Sequence, residues 1–354
     1  MTLRGITEGV VITAALSVCL TTWWPIVSTR DAAMLVTPLY TYTVLGSLVL
    51  GLLLAQRDGW LGAIVAFLSV RALILPQPQA LSVVVWLTFG AGLVWLISGL
   101  EPVRVRWARR GLITLGIAQA LYALPQLVHM DPLWVGLAWT QRAQMHGTFE
   151  NSRQLAGALA MIAPLAPVAV LPVLAGTVIL SGSILGAVAL GVGLTCRHRA
   201  QWRLILPLSA GALGAAVVFR GVSGDSTWMR LTVWRIAAGR WTSSIWSVLI
   251  GFGPSSWFAS IPDLQAAAVV GSIPDAFFVG HSDPGQYLYE YGLVGLVPVL
   301  GWLWVHRHAL LRAEAAGSVA ALGVYALGMS PFHFPTTGTL GAVVLGLAAH
   351  EGTT

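Results

Sequence analysis

Apolar positions in this chain come in long unbroken runs, and the polar positions are gathered into short segments between them. A run of about 20 apolar residues can span a bilayer as a helix, and somewhat shorter runs are tolerated. Runs of this kind lie near 9–28, 33–55, 60–76, 79–100 and 111–128, and again near 204–220, 286–305, 315–331 and 337–350. The block 153–195 is apolar too, but it carries Pro164, Pro167 and Pro172 and the stretch Ser181-Gly182-Ser183. Proline ends helical segments and Ser-Gly runs make turns, so three short or broken segments are expected there. The pattern predicts an all-α polytopic membrane protein of about twelve transmembrane helices, one integral membrane domain over 1–354. The longest stretch without a span is 221–284, and a loop that long is usually functional. Its Trp228, Trp234, Trp241, Trp246 and Trp257 predict helices lying along the membrane surface.

Composition agrees with the pattern: 56% of residues are hydrophobic, 9% are charged, and the mean hydropathy is +0.79. A soluble domain carries about a quarter charged residues. The net charge of +6 is entirely arginine, since the chain has no lysine. Arg104, Arg106, Arg109 and Arg110 fall in the loop expected at 101–110, Arg197, Arg199 and Arg203 in the one at 196–203, and Arg307 and Arg312 in the one at 307–312. This positive-inside pattern makes those loops cytoplasmic, and a nucleic-acid surface is not needed to explain the charge. Counting spans from them puts both termini in the cytoplasm and puts 134–152 and 221–284 on the outer face. Arg4 precedes an apolar run with no small-residue cleavage site, which reads as a retained first helix. Arg71 lies near the outer end of the third span and reads first as a snorkelling side chain, with a site role as the alternative. Cys19 and Cys196 are isolated, which leaves no disulfide framework and no cysteine metal site.

Three polar clusters share the expected outer face. The first holds Arg142, His146, Gly147, Thr148, Phe149, Glu150, Asn151 and Arg153. The second holds Asp225, Arg230, Arg235 and Arg240, with Trp234 four residues after Arg230 on the same helical face. The third runs from Gly280 to Gly295 and is a dense set of polar and ionisable groups in a very apolar chain: His281, Ser282, Asp283, Tyr287, Tyr289, Glu290 and Tyr291. The tyrosines suit a water–lipid interface, and Gly292 and Gly295 suit close approach of a helix or lipid. Outer loops are ordinarily poor in arginine, so the outer arginines are the informative ones. The guanidinium fork suits a phosphate or diphosphate, and a histidine supplies a titratable base. The bland alternatives are lipid anchoring by the arginines and an interfacial helix cap at His281. Asp-x-Asp, His-Glu-x-x-His, a phosphate-binding Gly-rich loop with Lys, and Gly-x-Ser-x-Gly are all absent, so no metal or cofactor is expected.

These residues resemble a known family. Gly147-Thr148-Phe149-Glu150-Asn151-Ser152-Arg153-Gln154-Leu155-Ala156 is similar to the Gly-x-Phe-x-Asn-Pro-Asn-x-Leu-Ala signature of the O-antigen ligase and polymerase superfamily. Arg230-Leu231-x-x-Trp234 followed by Gly251-Phe252-Gly253-Pro254 resembles that family's Arg-x-x-x-Trp and Gly-x-Gly-Pro loop. His281-Ser282, nine residues, Gly292, two residues and Gly295 matches a pattern shared with bacterial O-oligosaccharyltransferases. The resemblance covers Arg142 to Gly295 and departs from the signature at Ser152-Arg153, where the family has Pro-Asn.

The resemblance implies a C-type glycosyltransferase-like fold with a large periplasmic loop in the bacterial inner membrane. It implies metal-independent transfer of a glycan from undecaprenyl diphosphate to an acceptor hydroxyl. By position the catalytic roles fall on His281, Arg142 and Arg230, with Arg153, Asn151, Trp234, Ser282, Gly292 and Gly295 binding substrate. The departure at Ser152-Arg153 leaves open whether Arg142 or Arg153 makes the first phosphate contact. The acceptor is lipid A–core sugar in a ligase, a second carrier-linked glycan in a polymerase, and a protein Ser or Thr in an oligosaccharyltransferase. The ligase reading leads. A transporter or flippase for a lipid-linked anionic glycan would use the same arginines and no base, but would need ionisable residues through mid-membrane, where few are seen. A scaffold is the third alternative.

Overall fold

A computed structural model describes residues 47–74, 80–128, 145–201, 224–257 and 282–351, with 211 and 260, and apart from positions 49, 52, 57, 150, 313, 314 and 334. The expected spans near 9–28, 33–55 and 204–220 lie outside these or touch them at few positions, and Arg142 and His281 lie outside them. Arg230 is described by its backbone alone.

Every described element is helical. In chain order the α-helices are α1 (Gly59–Ile74), α2 (Ala80–Ser98), α3 (Pro102–Ala123), α4 (Ser152–Ile162), α5 (Leu171–Leu180), α6 (Ile184–Arg197), α7 (Gly224–Trp241), α8 (Ile245–Ile250), α9 (Asp283–Arg312), α10 (Ala316–Gly328) and α11 (Pro335–Glu351). Short 3₁₀ turns join several of them. Among the described residues two helical stretches, Pro102–Val128 and Asp283–Leu311, are long and apolar enough to cross a membrane, and five others are apolar but shorter. The block 153–195 divides into α4, α5 and α6, with breaks at the prolines and at Ser181-Gly182-Ser183.

Two segments expected as loops are helical. Residues 102–110 are the opening turns of α3, which starts with Pro102 at its first position, where a missing N–H costs nothing. Residues 307–312 are the last turns of α9. In both places the helix continues past the end of its apolar run.

Among the described residues two large apolar cores hold the bundle, and a smaller cluster of Val233, Ala237, Trp257 and Tyr289 packs α7 against α9. The first joins α3, α4, α5, α6 and α10 through residues such as Leu159, Ile162, Leu174, Val178, Leu190 and Tyr325. The second joins α1, α2, α11 and the later half of α9 through Val65, Ile97, Trp302 and Leu347. Small residues let helices α4, α6 and α10 approach closely: a Cβ at Gly157 would lie 2.2 Å from Cζ of Tyr325, and one at Gly193 would lie 2.8 Å from the Gly317 carbonyl oxygen. Where α4 ends, the Leu165 carbonyl accepts from Arg109 Nε and Nη2 (3.4 and 3.3 Å), and the Ala166 carbonyl accepts from Arg197 Nη1. These arginines therefore satisfy carbonyls that a broken helix leaves without partners.

Candidate functional site

The first motif is built around two glutamines. Buried Gln126 accepts at Oε1 from the amides of His146 and Gly147 (both 2.9 Å), and its Nε2 donates to the Gly147 carbonyl at 3.0 Å. Gln119 of α3, seven residues before Gln126 in the 3₁₀ turn that follows the helix, accepts from the Thr148 amide at 3.0 Å and donates to Thr148 Oγ1 at 2.8 Å. The loop then enters α4 through Asn151, whose Oδ1 accepts from the amides of Arg153 and Gln154 at 3.1 and 3.0 Å. That is an N-cap, so the Asn151 oxygen holds the helix start. Arg153, half-buried in the first turn, has its backbone carbonyl bonded by Tyr325 Oη at 3.1 Å.

The third motif opens α9. Ser282 Oγ accepts from the Gly285 amide at 3.3 Å. Buried Asp283 donates its amide to the Met329 carbonyl at 3.3 Å and accepts at Oδ2 from the Phe332 amide at 3.0 Å. Tyr325 of α10 reaches Arg153, and Met329, just past the end of α10, accepts from Asp283, so α10 links the first and third motifs.

The second motif meets the third at two places. Trp234 of α7 lies on Gly285, where a Cβ would stand 2.4 Å from the indole Cη2. The indole also stacks on Trp257 (centroids 4.7 Å apart), and Trp257 meets Tyr289 edge-on at 5.4 Å. Arg230 falls one turn before Trp234 on α7.

The second meeting is a crossing of two backbones. Gly292 (φ 64°, ψ −168°) interrupts α9, and Gly251 (φ 66°, ψ −173°) ends α8. A Cβ at Gly251 would lie 2.4 Å from the Glu290 carbonyl, and one at Gly292 would lie 2.5 Å from that of Leu249. The break frees the carbonyls of Tyr289 and Glu290, which accept from the amides of Phe252 and Gly253 at 3.1 and 2.8 Å. The Gly-Phe-Gly-Pro loop is thus spliced onto the broken helix.

The tyrosine trio does not form an interfacial belt. Tyr289 and Tyr291 are buried (3% and 1% exposed), and Tyr287 Oη donates to the Gly295 carbonyl at 3.0 Å. What approaches Gly295 is protein: its Cβ would meet Tyr291 Cβ at 2.5 Å and Phe67 of α1 at 3.1 Å. Nor does Arg71 snorkel. It is 8% exposed, and its Nη2 donates to the Ile250 carbonyl at 2.8 Å, because α1 packs inward against the crossing.

The described members of all three motifs therefore converge: Arg153 with Asp283 through α10 and Met329, Trp234 with Gly285, and Gly251 with Gly292. Arg235 is exposed and Arg240 is partly so, on the same helix. Among the described residues no three metal-ligating side chains come together. The sequence reading missed Gln119, Gln126 and Tyr325. Two glutamines seven apart in an apolar helix were a usable signal; Tyr325 had none. Compared with known families, curated proteins and solved structures, the chain matches no family model, no curated protein and no solved structure.

Proposed function

We propose that the chain is a polytopic inner-membrane glycosyltransferase of about twelve spans. It moves a glycan from undecaprenyl diphosphate to an acceptor hydroxyl at the periplasmic face, as an O-antigen ligase does. The observation that carries this reading is the convergence of three motifs that lie far apart in sequence. The membrane part is supported by large apolar side chains left exposed along α3 and α9, among them Trp107, Leu115, Leu121, Val297, Leu300 and Trp304.

In the reaction the acceptor oxygen bonds to the anomeric carbon of the first sugar. The bond from that carbon to the diphosphate oxygen breaks with its electron pair. The hydroxyl proton passes to His281, and the leaving diphosphate keeps its charge. Arg142 and Arg230, with Arg153, hold that charge, and such stabilisation is commonly the largest catalytic contribution. A general base adds about 10²–10⁴-fold. Trp234, Ser282, Gly292 and Gly295 hold the shape of the site, and Asn151 fixes the helix that carries Arg153.

The test is turnover by the purified full-length chain, with an undecaprenyl-diphosphate glycan offered lipid A–core oligosaccharide, a second carrier-linked glycan or a Ser/Thr peptide. Transfer to the core oligosaccharide, surviving EDTA, is the expected result. Transfer only to the carrier-linked glycan makes it a polymerase, and transfer only to peptide an oligosaccharyltransferase. Failure to release undecaprenyl diphosphate with any acceptor sinks the enzyme reading and leaves the flippase.

A further inference from the structure

Arg71 stands in the last turn of α1 and is more than nine-tenths buried, at 8% exposure. One of its donors, Nη2, reaches the Ile250 carbonyl at 2.8 Å, while its Nε is buried with no hydrogen-bond partner among the described residues. No described carboxylate forms an ion pair with it. One turn earlier on α1, Phe67 meets Tyr291 of α9 edge-on at 6.1 Å.

A guanidinium withdrawn from water is costly unless an anion compensates it. Capping one carbonyl does not require a charge, because a neutral amide donor would serve Ile250 as well. The charge is therefore retained for something anionic that the described chain does not supply. Ile250 directly precedes Gly251, so Arg71 sits against the crossing that joins the second and third motifs.

We propose that Arg71 is the membrane-side cation of a phosphate-binding site, its unpartnered Nε edge taking a phosphate of a lipid that enters beside α1. The planar fork lets Nε and a terminal nitrogen engage two phosphate oxygens at once. This rests on the reading above, in which the lipid is the undecaprenyl-diphosphate donor. A bilayer phospholipid offers the same phosphate chemistry, and the experiment separates the two.

The full-length protein, in nanodiscs of phosphatidylcholine, is titrated with undecaprenyl diphosphate and separately with phosphatidylglycerol, and retained lipid is read by native mass spectrometry. Wild type should retain undecaprenyl diphosphate. Arg71→Met should weaken this by about 10- to 100-fold, the range for a lost charge-assisted hydrogen bond, and Arg71→Lys, which keeps charge but not the fork, by less. Hydrogen exchange at the Phe252 and Gly253 amides reports whether the crossing survives, and it should stay slow in both variants. Unchanged binding by Arg71→Met overturns the proposal. So does loss of binding in both variants together with loss of that amide protection, which makes Arg71 a structural cap of α8. No binding of either lipid by wild type also overturns it. Arg71-dependent retention of phosphatidylglycerol without undecaprenyl diphosphate upholds the phosphate site and overturns the donor reading.

Discussion

Gly251 and Gly292 combine a positive φ with an extended ψ, a region that glycine alone occupies at low cost. Each also faces backbone rather than a movable side chain, so a methyl group at either has nowhere to go. Gly292→Ala and Gly251→Ala should each cost at least about 1–3 kcal/mol from conformation alone. The check is thermal unfolding of purified protein, with Gly323→Ala as control because a Cβ there meets nothing within 4 Å. Equal stability of Gly292→Ala and Gly323→Ala would mean the backbones do not cross as described. His281 is predicted differently, since the role proposed for it is chemical. His281→Ala should express and bind donor while transfer falls by about 10²–10⁴-fold. His281→Gln can orient a hydroxyl but cannot take its proton, so a nearly active Gln variant would reduce His281 to an orienting group. The sequence pattern marked Gly292 as a point of close approach, but its partner, Gly251, is 41 residues earlier and no local spacing connects them. Arg71 was misread for a related reason. A lone charge in an unbroken apolar run has no polar face to show whether it points inward or out.

Helices are tied together by side chains at their ends. Asp58, just before α1, accepts from the Leu61 amide at 3.0 Å and from Trp302 Nε1 of α9 at 3.0 Å, and lies 3.1 Å from His306 Nε2. Burial pushes its carboxyl up, but the hydrogen bonds from His306, the Leu61 amide and Trp302 outweigh this and hold it below the ordinary value near 3.8. A depressed carboxylate stabilises the fold above its unfolded pKa, and that contribution is lost as pH falls through the folded one. Asp58→Asn should therefore lower the unfolding free energy at neutral pH by about 1.5–3 kcal/mol, the cost of one lost charge-assisted bond. The gap to wild type should close below about pH 4. A gap that stays constant into acid would mean the charge of Asp58 contributes nothing. At the other tie, Gln126→Leu removes the acceptor for two amides, and each unpaired buried group costs about 1–3 kcal/mol. Hydrogen exchange at His146 and Gly147 should accelerate well beyond that at Asn151. Helix existence was legible over most of the described chain, because apolar run length reports it. The ends were not. The arginines at 102–110 and 307–312 looked like loops because charge interrupts hydropathy, yet it does not interrupt a helix that projects beyond an apolar layer.

Across the molecule, arginine serves two ends of α4 in different ways. Past its C-terminus, Arg109 and Arg197 are bonded to the Leu165 and Ala166 carbonyls. At its N-terminus stand the Gln-held loop and Arg153, which Tyr325 bonds to α10, and Met329 at the end of α10 accepts from Asp283 at the α9 entrance. The residues that gave the positive-inside signal thus also cap broken helices, and a cap would be needed on either side of a membrane. Orientation accordingly needs its own measurement. With Cys19 and Cys196 replaced, single cysteines are placed at Ser243, exposed just after α7, and at Ala200, exposed just after α6. If α7 and α8 lie on the periplasmic side, an impermeant thiol reagent should label Ser243→Cys in intact spheroplasts and Ala200→Cys only after lysis. The reverse pattern would put the converged motifs in the cytoplasm. The proposed periplasmic transferase could not survive that result even with every contact in the bundle unchanged. Labelling of both before lysis would place α6 and α7 on one side. The segment between them would then not cross, and the count of spans would fall with it.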